Sequence, residues 1–191
     1  KEENLILSVN GEIYNHRELK TDHCKHYNFK TESDCEIILA LYEKYGIDFI
    51  DMLNGIFAFA LFDKEKNHFL IARDHIGIIP LYKGYNENGT FFIASELKAL
   101  ESYCNEISIF PPGHYMTNKN IEPVKWYKRN WISLSGTNKE KIKTNQLKES
   151  LENAVHRQLM SDVPYGVLLS GGLDSSIIAA IAAKYSKKRV E

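Results

Sequence analysis

The sequence has few cysteines, no long apolar run and almost no net charge, and each of these absences excludes a class of protein. The three cysteines, Cys24, Cys35 and Cys104, have no C-x-x-C spacing, which excludes a disulfide scaffold or zinc site and favours reduced thiols in the cytoplasm. No apolar run approaches the roughly 20 residues that a membrane-spanning helix needs. With 24 basic and 25 acidic residues the net charge is −1, which argues against binding to nucleic acid.

An initiating methionine is also lacking, because the chain begins at Lys1 and runs directly into an apolar, strand-like stretch. We therefore expect the sequence to be a fragment of a longer protein. Its 191 residues leave room for one large domain or two small ones. The hydrophobic share of 43% and the aromatic share of 12% are those of a globular chain with enough core material.

The stretch YGVLLSGGLDSS, residues 165–176, carries the strongest chemical signal. A short β-type run, Val167–Leu169, meets two glycines and then a helical stretch, so N–H groups at the helix start can bind an anion such as phosphate. The common phosphate loop has a lysine after its glycines, but Asp174 stands here instead. An acid beside a phosphate implies a divalent cation between them. The alternative is an ordinary helix start capped by Asp174 or Ser175.

The first apolar stretch, residues 5–9, predicts a buried strand that ends at the sequence Asn10-Gly11-Glu12. Asn-Gly favours a hairpin turn, whereas the helical pattern over residues 12–20 favours a strand-to-helix turn. In the second case the Asn10 amide and the Gly11 N–H extend past the strand end, as the donors of an oxyanion hole do. The spacing alone leaves both interpretations open.

A helix is predicted over residues 33–45. Ser33 and Glu36 match a capping box, apolar residues recur at helical spacing, and Gly46 marks the C-terminal end. Asp34 in the first turn is explained by the helix dipole. A ligand-binding role for Asp34 therefore needs support from elsewhere.

Paired strands are predicted in the middle of the chain. Two runs, IFAFALFD and HFLIARD, flank the polar turn at residues 64–67 and form a hairpin. Arg73 and Asp74, at the end of the second run, are predicted to form a structural ion pair. The seven histidines have no metal-ligand spacing, and we interpret His75 and His114 as packing or surface residues.

Residues 132–144 are polar, lack a sustained periodicity and are predicted to form a linker. They separate a first domain at residues 1–131 from the start of a second domain at residues 145–191. The second domain opens with an amphipathic helix over residues 145–160. Helix, strand, loop and helix are only the opening of a parallel α/β domain, which is too little to bury a core alone.

Several stretches together resemble a known family. VNGEIYNH, SDCEIILALYEKYG, LNGIFAFAL, ARDHIGIIPLY, ASELKAL and FPPGHY are similar to the glutaminase domain of class II glutamine amidotransferases, and SGGLDSS is similar to the pyrophosphate loop of ATP pyrophosphatases. In this order they resemble glutamine-hydrolysing asparagine synthetases over nearly the whole chain. The resemblance implies an α+β, N-terminal-nucleophile-type αββα sandwich, truncated at its N-terminus. It also implies that an α/β, adenine nucleotide α-hydrolase-like domain with a parallel sheet begins after it.

The resemblance also implies roles for individual residues. Asn10 and Gly11 match the catalytic oxyanion-hole donors, and Glu12 lies in the same glutamine-binding stretch. Asp34 matches the carboxylate that holds the α-amino group of glutamine. The residues that match the ATP site, with Mg²⁺ near the aspartate, are Leu169, Ser170, Gly171, Gly172, Asp174, Ser175 and Ser176.

The implied reaction has two parts. Glutamine hydrolysis releases ammonia, which passes through an internal tunnel to a second site. There ATP activates aspartate as β-aspartyl-AMP, and capture by ammonia yields asparagine, so that the products are asparagine, glutamate, AMP and pyrophosphate. The implied partners are therefore glutamine, aspartate and ATP, without nucleic acid or a membrane, and a homodimer is left open.

The sequence departs from this family in two ways, and two other interpretations stay open. The family's nucleophile, a cysteine at the processed N-terminus, is absent, as is the stretch with the arginine that binds the glutamine carboxylate. We therefore expect the fragment itself to be inactive.

The first alternative is a β-lactam-synthetase-like enzyme, which uses no glutaminase. The intact Asn10–Glu12 and Asp34 positions argue against it, because such an enzyme would not need them. A non-catalytic interaction module would not need Asp174 in an intact SGGLDSS.

Overall fold

A computed structural model describes residues 4–129 and 143–186. The contacts divide the chain into two compact units, Lys1–Ile132 and Ser133–Glu191, and each unit is described by itself. Most of the predicted linker, residues 132–142, lies outside the described residues. Thr144, at the end of that predicted linker, is already the first residue of a helix.

In its described part the first unit contains eight strands, three α-helices and two 3-10 helices. The strands are β1 Leu5–Ile13, β2 Gly55–Asp63, β3 His68–Arg73, β4 Tyr82–Tyr85, β5 Phe91–Ala94, β6 Glu106–Ile109, β7 His114–Thr117 and β8 Asn120–Lys125. The α-helices are α1 His16–His23, α2 Ile37–Tyr45 and α3 Lys98–Glu101, and the 3-10 helices are Asp34–Glu36 and Gly46–Met52.

Two antiparallel sheets form the centre of this unit. The larger sheet has the order β1-β2-β3-β7-β8 and the smaller sheet has the order β5-β4-β6. The predicted hairpin with its turn at residues 64–67 is confirmed, because β2 and β3 pair in register from Asp63↔His68 to Ala58↔Arg73. Asn67 closes the turn with a φ of 46°, a conformation that asparagine tolerates better than most residues.

Two apolar cores cover the two faces of the larger sheet. On one face, Phe57, Phe59 and Leu61 of β2 pack with buried residues of α2 such as Ile38 and Leu41. On the other face, Ala58 and Ile71 pack with side chains of the smaller sheet and its loops. Burial of each large apolar side chain contributes roughly 1.5–3 kcal/mol to the free energy of folding. The alternation along β2 therefore produces a helix–sheet–sheet sandwich.

Strand β1 is longer than the sequence predicts. It continues through Asn10-Gly11-Glu12 to Ile13, and α1 begins only at His16. The predicted hairpin turn and the predicted helix from residue 12 are therefore both wrong at this point. Nine residues of β1 pair with β2, and this pairing outweighs the local turn preference of Asn-Gly.

The helix predicted over residues 33–45 is confirmed, with a different start. Its first turn is the 3-10 helix Asp34–Glu36, and the Ser33 side chain accepts a hydrogen bond from the Cys35 N–H at 3.3 Å. The Glu36 carboxylate does not return to Ser33, as a capping box requires, but binds residues 30 and 31. Gly46 ends the helix with a φ of 60°, as predicted.

The predicted ion pair between Arg73 and Asp74 is wrong, because each side chain binds backbone groups instead. The Arg73 guanidinium donates to the carbonyls of Ile79, Phe110 and Gly77 at 2.7–2.8 Å. The Asp74 carboxylate accepts from the N–H groups of Phe57, Ile76 and Gly77. Burial lowers the pKa of Arg73, although Asp74 acts in the opposite direction. The two charges therefore brace the loop that follows β3.

The second unit contains two helices within its described residues, α4 Thr144–Gln158 and α5 Leu173–Tyr185. Near the end of α5, Lys184 donates to Glu152 at 2.7 Å and the Tyr185 ring stacks on His156. The strand predicted at residues 167–169 is not formed, because this extended segment has no strand to pair with in the described part of the unit. The parallel sheet stays a prediction. Among the described residues, no helix combines the length and the hydropathy of a membrane-spanning segment.

A buried carboxylate stabilises the β2–β3 hairpin and provides a first prediction. Asp63 is only 3% exposed and accepts hydrogen bonds from the Tyr42 hydroxyl, the Lys66 backbone and the Lys66 ammonium group. Burial raises the pKa of Asp63, but the hydrogen bonds and charge of Lys66 outweigh burial, so that its pKa is lowered. We expect Asp63→Asn to reduce the free energy of unfolding by about 1–3 kcal/mol.

Urea unfolding followed by tryptophan fluorescence measures this loss, with Glu65→Gln in the same exposed turn as the matched control. Because the pKa of Asp63 is lower in the folded state, its contribution is complete above the unfolded value of about 4. That contribution is lost as the pH falls through the folded pKa. A difference between the wild type and Asp63→Asn that stays constant at acidic pH would contradict this role.

Candidate active site

The outer edge of β1 is the feature on which the candidate site is built. The Tyr14 N–H donates to the Asn54 carbonyl at 2.7 Å, and the Lys64 N–H donates to the Asn4 carbonyl at 2.8 Å. In this register the backbone N–H and C=O groups of the even-numbered residues of β1 therefore point toward β2. The N–H and C=O groups of Gly11 and Ile13 therefore point away from β2. In the part of the chain that the structure describes, β1 is the last strand of its sheet, and these groups lie on an open edge.

The 3-10 helix Asp34–Glu36 binds to this edge at two points. The Asp34 carboxylate accepts a hydrogen bond from the Ile13 N–H at 2.5 Å, and the Cys35 thiol donates to the Gly11 carbonyl at 3.5 Å. These contacts bring Gly11 and Asp34, two of the predicted glutamine-binding residues, to one strand edge. The first-turn position of Asp34 predicted only a dipole effect, so its partner on β1 was not foreseen.

The cysteine beside Asp34 is not a reactive thiol. Cys35 is buried, and burial raises its pKa to about 12, with further contributions from the negative charges of Asp34 and Glu12. Burial also raises the pKa of Cys24. Because the thiolate is the nucleophile, Cys35 has a structural role at neutral pH.

Asn10 and Glu12 lie on the face of β1 that is turned away from α2, since side chains alternate along a strand. Asn10 lines a small cavity of about 100 Å³ with Ala58, Leu81 and Ser95, between the two sheets. Its side-chain amide is exposed and has no hydrogen-bond partner among the described residues. The amide and the outward Gly11 N–H are two donors that β2 does not use, as an oxyanion hole would require.

A larger cavity of about 270 Å³ opens beside Asp34. It is lined by basic side chains of α1, by the loop before the 3-10 helix and by apolar side chains. Its lining residues are His16, Arg17, Lys20, Phe29, Thr31, Glu32, Ser33, Asp34 and Ile37. Acidic and basic side chains around one cavity suit a zwitterion such as an amino acid. The α1 residues were not predicted from the sequence, where their only signal was the i,i+3 spacing of Arg17 and Lys20 on one helix face.

In the second unit the predicted phosphate loop leads into α5. Gly171 has a φ of 82°, and Gly172 is the N-cap residue of the helix, without a side-chain cap. The Ser175 and Ser176 hydroxyls donate back to the Gly172 carbonyl at 3.1 and 2.7 Å. The alternative of a helix capped by Asp174 or Ser175 is therefore wrong. The first N–H groups of α5 are left available for an anion.

The other predicted ATP residues lie along the same loop. Leu169 and Ser170 are exposed in the extended segment before the glycines, and the Ser170 hydroxyl lies 2.9 Å from that of Ser175. Asp174 is exposed in the first turn of α5. The described residues contain no group of three or more histidine, cysteine or acidic side chains that could hold a metal ion. A single carboxylate fits Mg²⁺ that is also bound by phosphate oxygens.

Family models match both parts of the chain. The glutamine amidotransferase domain family matches residues 1–149, and the asparagine synthase family matches residues 146–191. Among solved structures, the glutamine phosphoribosylpyrophosphate amidotransferase of B. subtilis is similar with a TM-score of 0.58 and 21% identity, over 100% of this chain and 46% of that one. This likeness concerns the fold alone, and it confirms the predicted N-terminal-nucleophile-type sandwich.

Curated relatives extend the similarity over nearly the whole chain. Asparagine synthetase B (glutamine-hydrolysing) of Escherichia coli is 53% identical over 186 residues, which are 97% of this chain and 34% of that protein. A probable glutamine-hydrolysing asparagine synthetase of Dictyostelium discoideum is 50% identical over 198 residues, which cover 100% of this chain and 35% of that protein. The chain thus spans about a third of the length of these relatives.

Gly11 provides a test of the strand-edge geometry. A Cβ atom added to Gly11 would lie 2.0 Å from the Ile56 carbonyl oxygen, and the φ of Gly11 is +141°. We expect Gly11→Ala to reduce the free energy of unfolding by about 3 kcal/mol or more, because backbone strain and overpacking add.

Gly89→Ala is the matched control, since Gly89 has a φ of +75° but no neighbouring atom within 4 Å of its added Cβ. It should cost only the left-handed strain of about 1–2 kcal/mol. Urea unfolding of the two variants compares the costs. An equal loss in both would show that close packing against β2 does not constrain Gly11.

Proposed function

The chain belongs to the glutamine amidotransferase domain family, and from this premise we propose that the protein hydrolyses glutamine and uses the ammonia to make asparagine. In the proposed reaction aspartate is activated by ATP as β-aspartyl-AMP, and the products are asparagine, glutamate, AMP and pyrophosphate. The observation that carries the proposal is the docking of Asp34 on the edge of β1 beside Gly11. The names of the curated relatives support the same reaction.

The first unit supplies the glutamine site in this proposal. The Asn10 amide and the Gly11 N–H stabilise the oxyanion that forms when a thiolate attacks the glutamine side-chain amide. Asp34 binds the α-amino group, because a carboxylate fixed by the Ile13 N–H is well placed to attract an ammonium group. Glu12 belongs to the same stretch of β1. The nucleophile is assigned to none of Cys24, Cys35 and Cys104.

The second unit supplies part of the ATP site. The loop from Ser170 to Ser176 binds the pyrophosphate part of ATP through its hydroxyls and through the N–H groups at the start of α5. Leu169 contacts the adenylate through its backbone. Asp174 would hold Mg²⁺ together with phosphate oxygens, and the ion would neutralise the charge of the departing pyrophosphate.

Asp34 carries the third prediction. In the full-length protein, we expect Asp34→Asn to raise the glutamine KM about 10- to 100-fold, because a charged hydrogen-bond partner of the substrate is lost. Activity with ammonia in place of glutamine should stay within about twofold. Asparagine formation from each nitrogen source measures the two effects, and Asp22→Asn on the exposed side of α1 is the matched control.

Asp174 carries the fourth prediction, which concerns the other half-reaction. We expect Asp174→Asn to lower aspartate-dependent release of pyrophosphate from ATP at least about 100-fold with either nitrogen source, since Mg²⁺ loses its protein ligand. Glutamine hydrolysis without ATP should continue. Asp162→Asn, an exposed acid before the loop, is the control.

Product analysis decides between this proposal and its rivals. Release of ADP and phosphate would overturn the assignment of the second unit. Formation of a cyclic amide without glutamine use would favour the β-lactam-synthetase-like alternative. Binding of these substrates without turnover would favour an interaction module. A cytoplasmic location and a homodimer belong to the same proposal, and sedimentation velocity tests the dimer.

A further inference from the structure

Glu36 is a buried acid that the proposed mechanism does not use. It is 8% exposed and lies at the end of the 3-10 helix that carries Asp34. One carboxylate oxygen accepts from the Lys30 N–H at 2.7 Å, and the other accepts from the N–H and the hydroxyl of Thr31 at 2.7 and 2.6 Å. A single side chain thus binds the start of the loop that precedes its own helix.

The hydrogen bonds continue from Thr31 through the rest of this loop. The Ser33 N–H donates to the Thr31 hydroxyl at 3.2 Å, and the Cys35 N–H donates to the Ser33 hydroxyl at 3.3 Å. Glu36 therefore anchors a chain of hydrogen bonds that includes Ser33 and Cys35, the residues directly before and after Asp34. Removing the anchor would release the loop, although the contact of Asp34 with β1 would remain.

This loop also forms one wall of the larger cavity. Thr31, Glu32 and Ser33 line the cavity together with Asp34 and the basic side chains of α1. Glu36 itself does not line the cavity. Burial raises the pKa of Glu36, but the hydrogen bonds from Thr31 and Lys30 outweigh burial and lower its pKa. The side chain is therefore an anion at neutral pH, and charged acceptors make the stronger hydrogen bonds.

We propose that Glu36 is a positioning residue for glutamine, which holds the loop of residues 30–33 so that Asp34 and the cavity wall keep the shape that receives the amino-acid end of the substrate. The inference rests on the proposed function and deepens it. Glu36 acts through the loop and does not touch the substrate. It thereby affects the binding of glutamine and leaves the synthetase reaction unchanged.

The test is Glu36→Gln in the full-length protein. The substitution keeps the size of the side chain but places an amide group against N–H donors. We expect the glutamine KM to rise about tenfold, with kcat and the ammonia-dependent activity within about twofold of the wild type. Glu43→Gln, an exposed acid on α2, is the matched control and should change none of these values.

A second variant, Thr31→Val, removes the hydroxyl that joins Glu36 to Ser33 while preserving the side-chain volume. It should raise the glutamine KM in the same direction and decides the question if Glu36→Gln does not fold. An unchanged glutamine KM in a folded variant with a lowered melting temperature would overturn the positioning role and leave a purely structural one. A wild-type protein that does not hydrolyse glutamine would overturn the proposed function, and this inference with it.

Discussion

The docking of a 3-10 helix on the edge of β1 is the interaction on which the candidate glutamine site depends. Asp34 binds the Ile13 N–H and Cys35 binds the Gly11 carbonyl, so two backbone groups that β2 cannot reach are both used. A hydrogen bond to a charged acceptor is worth about 1.5–3 kcal/mol. Because the contact joins residues more than twenty positions apart, it converts a strand edge and a helix start into one site.

This docking requires the pairing of β1 with β2 to be in one register. A shift by one residue would turn the outward groups of Gly11 and Ile13 toward β2 and would exchange the two faces of the strand. The apolar partners Phe57 and Phe59 oppose such a shift, since they are buried under α2. The close approach of Gly11 to Ile56 adds a steric constraint. The core that stabilises the sheet therefore also positions the site.

Three buried charges in the described part of the chain shape loops and do not pair with one another. Arg73, Asp74 and Glu36 are each satisfied mainly by backbone N–H or carbonyl groups. Loops contain backbone groups that no strand or helix satisfies, and a buried charge that binds several of them avoids an uncompensated desolvation cost. The adjacent charges of Arg73 and Asp74 predicted an ion pair. This prediction was wrong because a sequence shows adjacency along the chain but not the direction in which side chains point.

The sequence by itself determined the elements whose signals are local, the β2–β3 hairpin and the end of α2 at Gly46, which rest on alternation and turn residues. Through contiguous motifs that resemble a known family, it also indicated the family and the layered sandwich. It also indicated Asn10, Gly11 and Asp34 through the family resemblance. Only the tertiary structure decided that Asn10-Gly11 continues a strand, that Glu36 holds a loop and that residues 167–169 stay unpaired. The first and third outcomes depend on a partner distant in the chain or on its absence among the described residues, and local preference is weaker than such pairing. Glu36 binds residues only five and six positions before it, but the fold of the loop that brings them together has no local sequence signal.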